Sequence, residues 1–259
     1  MTAVTYPRVI ASEFTKLHSL RSSRVSLLMA LGLVVGLGLF VPWLSVSDWR
    51  DGTPTIGYNA VERSLSGIYL AQIAFGVLGA MVVTGEYATG SIRSTFAAVP
   101  RRLPVLWSKL AVFLVVTLVL GTLASVLAFT AGQAIFSAKH VDASLGDPGV
   151  TRAVLGCGLF LAGMGAFGLA LGALLRNTAA AVTTFVAVFF VIPPMTNLLP
   201  ASWTDHFAQY LPSNAGSVLI DGAFGVAHPL SPLTGFAVMT SYAIALIGLA
   251  AWRLHHADA

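Results

Sequence analysis

The sequence predicts an all-α, polytopic membrane protein: six transmembrane helices forming one membrane-spanning domain over residues 1–259. Three observations carry that expectation. Charged residues are 9% of the chain, against about 25% in soluble domains. Hydrophobic residues are 56% and the mean hydropathy is +0.84, so a soluble chain of this size could not cover its own surface. The apolar residues also gather into six stretches that approach or exceed the roughly 20 residues a helix needs to cross the hydrocarbon core.

In chain order these stretches are 25–44, 66–84, 110–136, 153–175, 178–199 and 233–252. The first holds no charge. It is too long for the apolar core of a cleaved signal peptide, and no small-residue cleavage site clearly follows it. The third is long enough to tilt. The fourth carries small residues at close-packing spacing, Gly158, Ala162, Ala166 and Ala170, with Gly168 and Gly172 nearby; the first has Gly32 and Gly36. The fifth contains Pro193-Pro194, which interrupt a regular helix.

Orientation follows from Lys and Arg counted on alternate sides. Ten lie on the side of both termini: Arg8, Lys16, Arg21, Arg24, Arg93, Arg101, Arg102, Lys109, Arg176 and Arg253. Four lie on the other: Arg50, Arg63, Lys139 and Arg152. The expectation is a multi-pass protein of the plasma membrane with both termini cytoplasmic. The pI of about 9.5 is then explained by anionic lipid and orientation, not by nucleic acid.

Three segments outside the spans have their own character. Residues 1–24 are basic and amphipathic, with Ile10, Phe14 and Leu17 at helical spacing; they predict a helix lying on the cytoplasmic membrane surface. The outer segment 200–232 has no Lys or Arg and carries Trp203, Phe207, Tyr210, Leu211, Val218 and Leu219. Broken by Pro200 and Pro212, it predicts short re-entrant or interfacial helices. In the loop 85–109, Glu86 caps the second span, Gly90 permits a sharp turn, and Thr89 or Ser91 can cap a short helix. That helix places Ile92, Phe96 and Val99 on one face, and Pro100 helps to stop it. An apolar face there needs lipid or a partner protein to cover it. The next span is expected to begin after Lys109.

The motifs of several chemistries are missing. There is no G-x-x-x-x-G-K-[ST] phosphate loop, no H-E-x-x-H zinc motif and no G-x-S-x-G nucleophile elbow. The single cysteine, Cys157, lies in an apolar stretch and offers neither a disulfide framework nor a thiolate metal site. The histidines fall in loops and tails. No Asp, Glu, Lys or Arg is expected well inside a span, so the carboxylate or proton-carrying group of an ion-coupled transporter is not evident. Energy for any transport would enter through another protein, and the chain is expected to bind no cofactor and to have no catalytic residues of its own.

The chain resembles the permease subunit of a type-2 ATP-binding-cassette (ABC) exporter, of the bacterial multidrug or antibiotic-efflux kind. The resembling residues are Glu13-Phe14-Thr15-Lys16-Leu17 with Ser19-Leu20-Arg21-Ser22, the stretch from Gly85-Glu86-Tyr87 to Pro100-Arg101-Arg102, Lys109, Leu171-Gly172-Ala173-Leu174-Leu175-Arg176-Asn177, and Leu211-Pro212 with Ala215-Gly216. Each motif is loose alone; their order along nearly the whole chain, with six spans, is more specific. The resemblance implies a pair of permeases, homodimer or heterodimer, each bound to a separate ATPase subunit that holds the ATP. It implies that the short helix after the second span is a coupling helix, with Ile92, Arg93, Phe96 and Val99 as contact residues and Glu86 fixing the helix at the membrane surface. It implies export, and the neutral spans favour an apolar or amphipathic substrate; drug, antibiotic, lipid and peptide stay open. Two other readings stand beside it: a non-transporting membrane anchor or sensor of an ATPase complex, and a polytopic membrane enzyme acting on lipid.

Overall fold

The computed structural model describes residues 6–19, 21–49, 58–99, 102–198, 200, 206–220 and 229–256. Among them there is no β-strand. The α-helices are α1 (Tyr6–Ser19), α2 (Arg21–Ser47), α3 (Ala60–Ser64), α4 (Ile68–Ala88), α5 (Ser91–Ala98), α6 (Arg102–Ser137), α7 (Val150–Leu175), α8 (Thr178–Val186), α9 (Ile192–Met195), α10 (Pro212–Ser217) and α11 (Pro232–His256). Six helical segments are long and apolar enough to cross a membrane, and they fall on the six expected stretches: Ser23–Ser47, Ile68–Ala88, Arg102–Ser137, Val150–Leu175, Thr178–Met195 and Pro232–His256. The protein is a multi-pass, all-α membrane protein.

The centre of the bundle is α7. Its apolar window is 83% buried, against 22% for α2, 28% for α11 and 17% for the span formed by α8 and α9. The centre is tight because α4 and α7 meet backbone to backbone. A Cβ on Gly168 would overlap the Gly76 carbonyl, and one on Gly79 would overlap the Gly165 carbonyl. Small residues at such crossings let helices approach closely without a hydrophobic driving force. The α4–α7 approach therefore runs along Gly165 and the expected Gly168 and Gly172, while Gly158 of the predicted ridge packs on Thr122 of α6. Gly32 and Gly36 meet nothing within 4 Å in the chain. The α6–α7 contact adds a hydrogen bond from the Ser125 hydroxyl to the Val154 carbonyl at 2.8 Å.

The fifth span is not one regular helix. Pro193 and Pro194 have no N–H to donate. The chain answers with a π-turn over Ala187–Val191, in which the Ile192 amide reaches back five residues to the Ala187 carbonyl. A 3-10 turn, Thr196–Leu198, follows α9. Within 200–232 the described residues 206–220 form short helices, as expected: a 3-10 turn at Ala208–Tyr210, then α10, then a 3-10 turn at Val218–Ile220. All of α10 is buried, packed against α11, so it is part of the bundle; Phe207 and Tyr210 stay exposed. Trp203 lies outside the described residues.

Helix α1 does not merely lie on a surface. It packs on α6 and α2, and the residues it buries are Val9 and Glu13, while Phe14 is exposed. Helix α6 begins at Arg102, earlier than the predicted start after Lys109, so Lys109 lies two turns inside a helix.

Candidate functional site: an ionic cluster joining four helices

The helices that carry Glu13, Lys16, Glu86, Thr95 and Lys109 are far apart in sequence but meet at one end of the bundle. Helix α4 ends at Ala88, and Gly90 adopts the left-handed conformation at φ +73°, which a side chain would strain. That turn starts α5 by backbone alone. Thr89 and Ser91 do not cap it; their hydroxyls pair with each other at 3.0 Å. The chain then returns as α6, and Lys109 meets Glu86 where α4 and α6, both packed on α7, come together at this end. Helix α1 closes the arrangement from outside.

The Lys109 ammonium donates to Glu13 Oε2 at 2.5 Å and to Glu86 Oε1 at 2.9 Å. The Lys16 ammonium donates to Glu13 Oε1 at 2.7 Å, to Glu86 Oε1 at 3.0 Å and to the Thr95 hydroxyl at 3.2 Å. Each carboxylate thus bridges both lysines, and the formal charges cancel. Glu13, Glu86 and Lys109 are buried, at 3%, 8% and 5% exposure. Ions can be held at that burial only when paired and hydrogen-bonded, and removing one partner leaves a buried charge that costs about 3–5 kcal/mol. For Lys16, burial opposes the charged form, but the hydrogen bonds and charges of Glu13 and Glu86 outweigh it, and its pKa is raised. A cavity of about 200 Å³ borders the cluster, walled by Met81, Val82, Val112 and Phe113 as well as the four charges. Glu86 Oε2 and the Ser108 hydroxyl are buried with no hydrogen-bond partner among the described residues.

The cluster lies at helix ends, so the expectation that no ionisable residue sits well inside a span stands, but Lys109 is held within α6 and not before it. The reason is compensation: two carboxylates and two ammoniums from different helices neutralise one another. One local signal was present, Glu13 and Lys16 three residues apart on a helix. The Glu13–Lys109 link spans 96 residues and has no local signature.

The residues predicted to contact a partner are placed as follows. Ile92 is buried, and Phe96 packs on the core cluster that includes Leu106 and Leu110. The Arg102 guanidinium lies 5.5 Å over the Phe96 ring. Val99 is half-buried and Arg93 is exposed. The apolar face of α5, predicted to need a partner or lipid, is thus seated largely on the chain itself. The face turned outward carries Ser91, Arg93, Ser94, Ala97 and Ala98. Glu86 belongs to the cluster and fixes the base of this turn.

The adjoining helix ends are pinned by arginines. Arg176, at φ +56°, ends α7 and lies 5.4 Å over the Tyr87 ring; Asn177 then caps α8 by accepting from the Ala180 amide. Arg253 of α11 donates to the Leu174 carbonyl. Among the described residues, no three His, Cys, Asp or Glu side chains gather where a metal ion could be held. The cluster links α1 and α5 to the ends of α4 and α6. No protein-family model matches this chain, and no curated protein matches it.

Proposed function

We propose that this chain is the permease subunit of an ATP-driven exporter of the type-2 ATP-binding-cassette kind, working as a homodimer or heterodimer with a separate ATPase subunit. Its ten-residue basic side faces the cytoplasm of a bacterial cell, and its cargo is hydrophobic or amphipathic. The observation that carries this reading is α5: a short helix displayed between two spans, seated by Ile92 and Phe96, and tied through Thr95 to the ionic cluster. A helix held this firmly transmits a push from a partner to α4 and α6 instead of yielding to it.

On this reading the ATPase meets the outward face of α5, with Arg93, Ser94 and Ala97 in contact, while Phe96 acts by seating the helix. Arg93→Glu and Ala97→Glu then weaken co-purification with a candidate ABC-type ATPase subunit, about tenfold if each costs 1.4 kcal/mol at the interface. Retention of the ATPase by both variants at the wild-type level defeats the docking assignment. ATPase activity that never responds to any apolar or amphipathic candidate favours an anchor or sensor subunit instead. Orientation is read by impermeant thiol labelling of intact cells. Leu145→Cys is labelled and Ala97→Cys is not; native Cys157 is buried and stays silent.

A further inference from the structure

We propose that the crevice between α1, α2 and α6 is a binding site for one anionic phospholipid, with its phosphate at Arg24 and His18 and the upper part of an acyl chain along α6. The crevice has a volume of about 330 Å³. Three short runs build it. Phe14, Leu17 and His18 share one face of α1; Arg24 and Leu27 lie one turn apart on α2; Val115, Val116, Val119 and Leu120 form the wall on α6.

Its chemistry is divided along its length. Arg24 and His18 are exposed at the rim, and no acidic residue among the described ones lines it. The acid of α1, Glu13, is turned away into the ionic cluster. Arg8 and Arg21 are also exposed on this lead-in, adding positive charge to the same side. Below the rim the lining is aliphatic, with Val115 at 62% and Val119 at 50% exposure in a helix long and apolar enough to span the bilayer. From Arg24 to Leu27 the helix rises about 4.5 Å, and the α6 wall from Val115 to Leu120 runs about 7.5 Å. That places a cationic rim directly above an apolar slot, at the membrane level of an interfacial helix. A free phosphate would use only the rim; a zwitterionic lipid offers a phosphate but sets its own cation against the basic rim; an anionic phospholipid fills both without that opposition. The bound lipid would wedge α1 against α6 on the side away from Glu13. The inference rests on the membrane fold alone and not on the transport reading.

The test is native mass spectrometry of the full chain in mild detergent, titrated with phosphatidylglycerol or phosphatidylcholine of the same chains. The wild type retains phosphatidylglycerol about fivefold more strongly, the weight of one basic residue near a membrane surface. Arg24→Gln removes the preference. Val119→Trp, which fills the slot, lowers retention of both lipids. Arg93→Gln, a basic residue at the same end but outside the crevice, changes nothing. Thermal unfolding of each variant confirms that the bundle is intact. Equal retention of the two lipids by the wild type overturns the proposal, as does an Arg24→Gln variant that keeps the preference. Displacement of the lipid by millimolar glycerol phosphate, with Val119→Trp silent, overturns it in favour of a free-anion site.

Discussion

The two ends of the bundle are held by opposite chemistry. At the end of α1 and α5, two carboxylates and two ammoniums lock together helices up to 96 residues apart. At the other end, a neutral amide does the corresponding work. Gln133 donates to the Ala60 carbonyl at 3.1 Å and to the Ser64 hydroxyl at 3.0 Å, and its carbonyl accepts from the Ala143 amide at 2.7 Å. Aromatic packing completes it, with Trp49 and Tyr58 against Phe136. Both ends satisfy buried polar groups. The ionic end gathers α1 and α5 and the neutral end gathers α3, and of these two clusters only the ionic one leaves a net charge in the interior when a member is lost.

The sharpest break in this comparison is Lys109→Met. It leaves the buried Glu13 and Glu86 with Lys16 as their shared counter-charge and so one uncompensated negative charge, and is expected to cost about 3–5 kcal/mol of stability in detergent, read from thermal unfolding. Gln133→Leu at the other end is expected to cost less, about 1–3 kcal/mol for buried partners left unsatisfied, with no dependence on pH between 6 and about 9 because no ionisable group is involved. Thr95→Val removes one hydrogen bond to a charged group and should cost about 1.5 kcal/mol or less. Its readout is faster proteolysis within residues 91–99, with the spans still protected.

The smallest effect over the neutral range is that of pH on the Lys16 contacts. The Lys16 pKa is raised above 10.5, so its contribution is fully present below that value and is lost as pH rises through the still higher folded value. Limited proteolysis of α1 should therefore be flat from neutral pH to about 9 and rise only in strongly alkaline solution, provided the rest of the fold persists there. A rise near neutral pH would show that a different group holds α1.

The spans were legible because about 20 apolar residues have few other uses. The turn at Gly90 and the short helices of segment 200–232 were legible from Gly and Pro. The start of α6 was not: Arg101, Arg102 and Lys109 look like a flank, yet the helix continues through Lys109 because its charge is met by Glu13 and Glu86. The small residues of α7 were legible from their spacing but not their partners: Gly158 meets Thr122 of α6, while Gly168 and Gly172, with Gly165 beside them, meet α4. Which of them meets α4 depends on Gly76 and Gly79, a matter of tertiary register. The direction of α5 was ambiguous for the same reason. Ile92, Phe96 and Val99 define one face, but nothing local says whether that face meets a partner or the chain's own core.

The central claim is that Glu13, Lys16, Glu86 and Lys109 act as one unit. A double-mutant cycle on Lys109→Met and Glu86→Gln, followed by thermal unfolding of the full chain in detergent, tests it most directly. If the cluster is one unit, the second substitution costs far less once the first is made, with a coupling of about 1.5 kcal/mol or more. Effects that add to within about 0.5 kcal/mol would mean that the two residues stabilise the bundle independently and that no joined cluster exists.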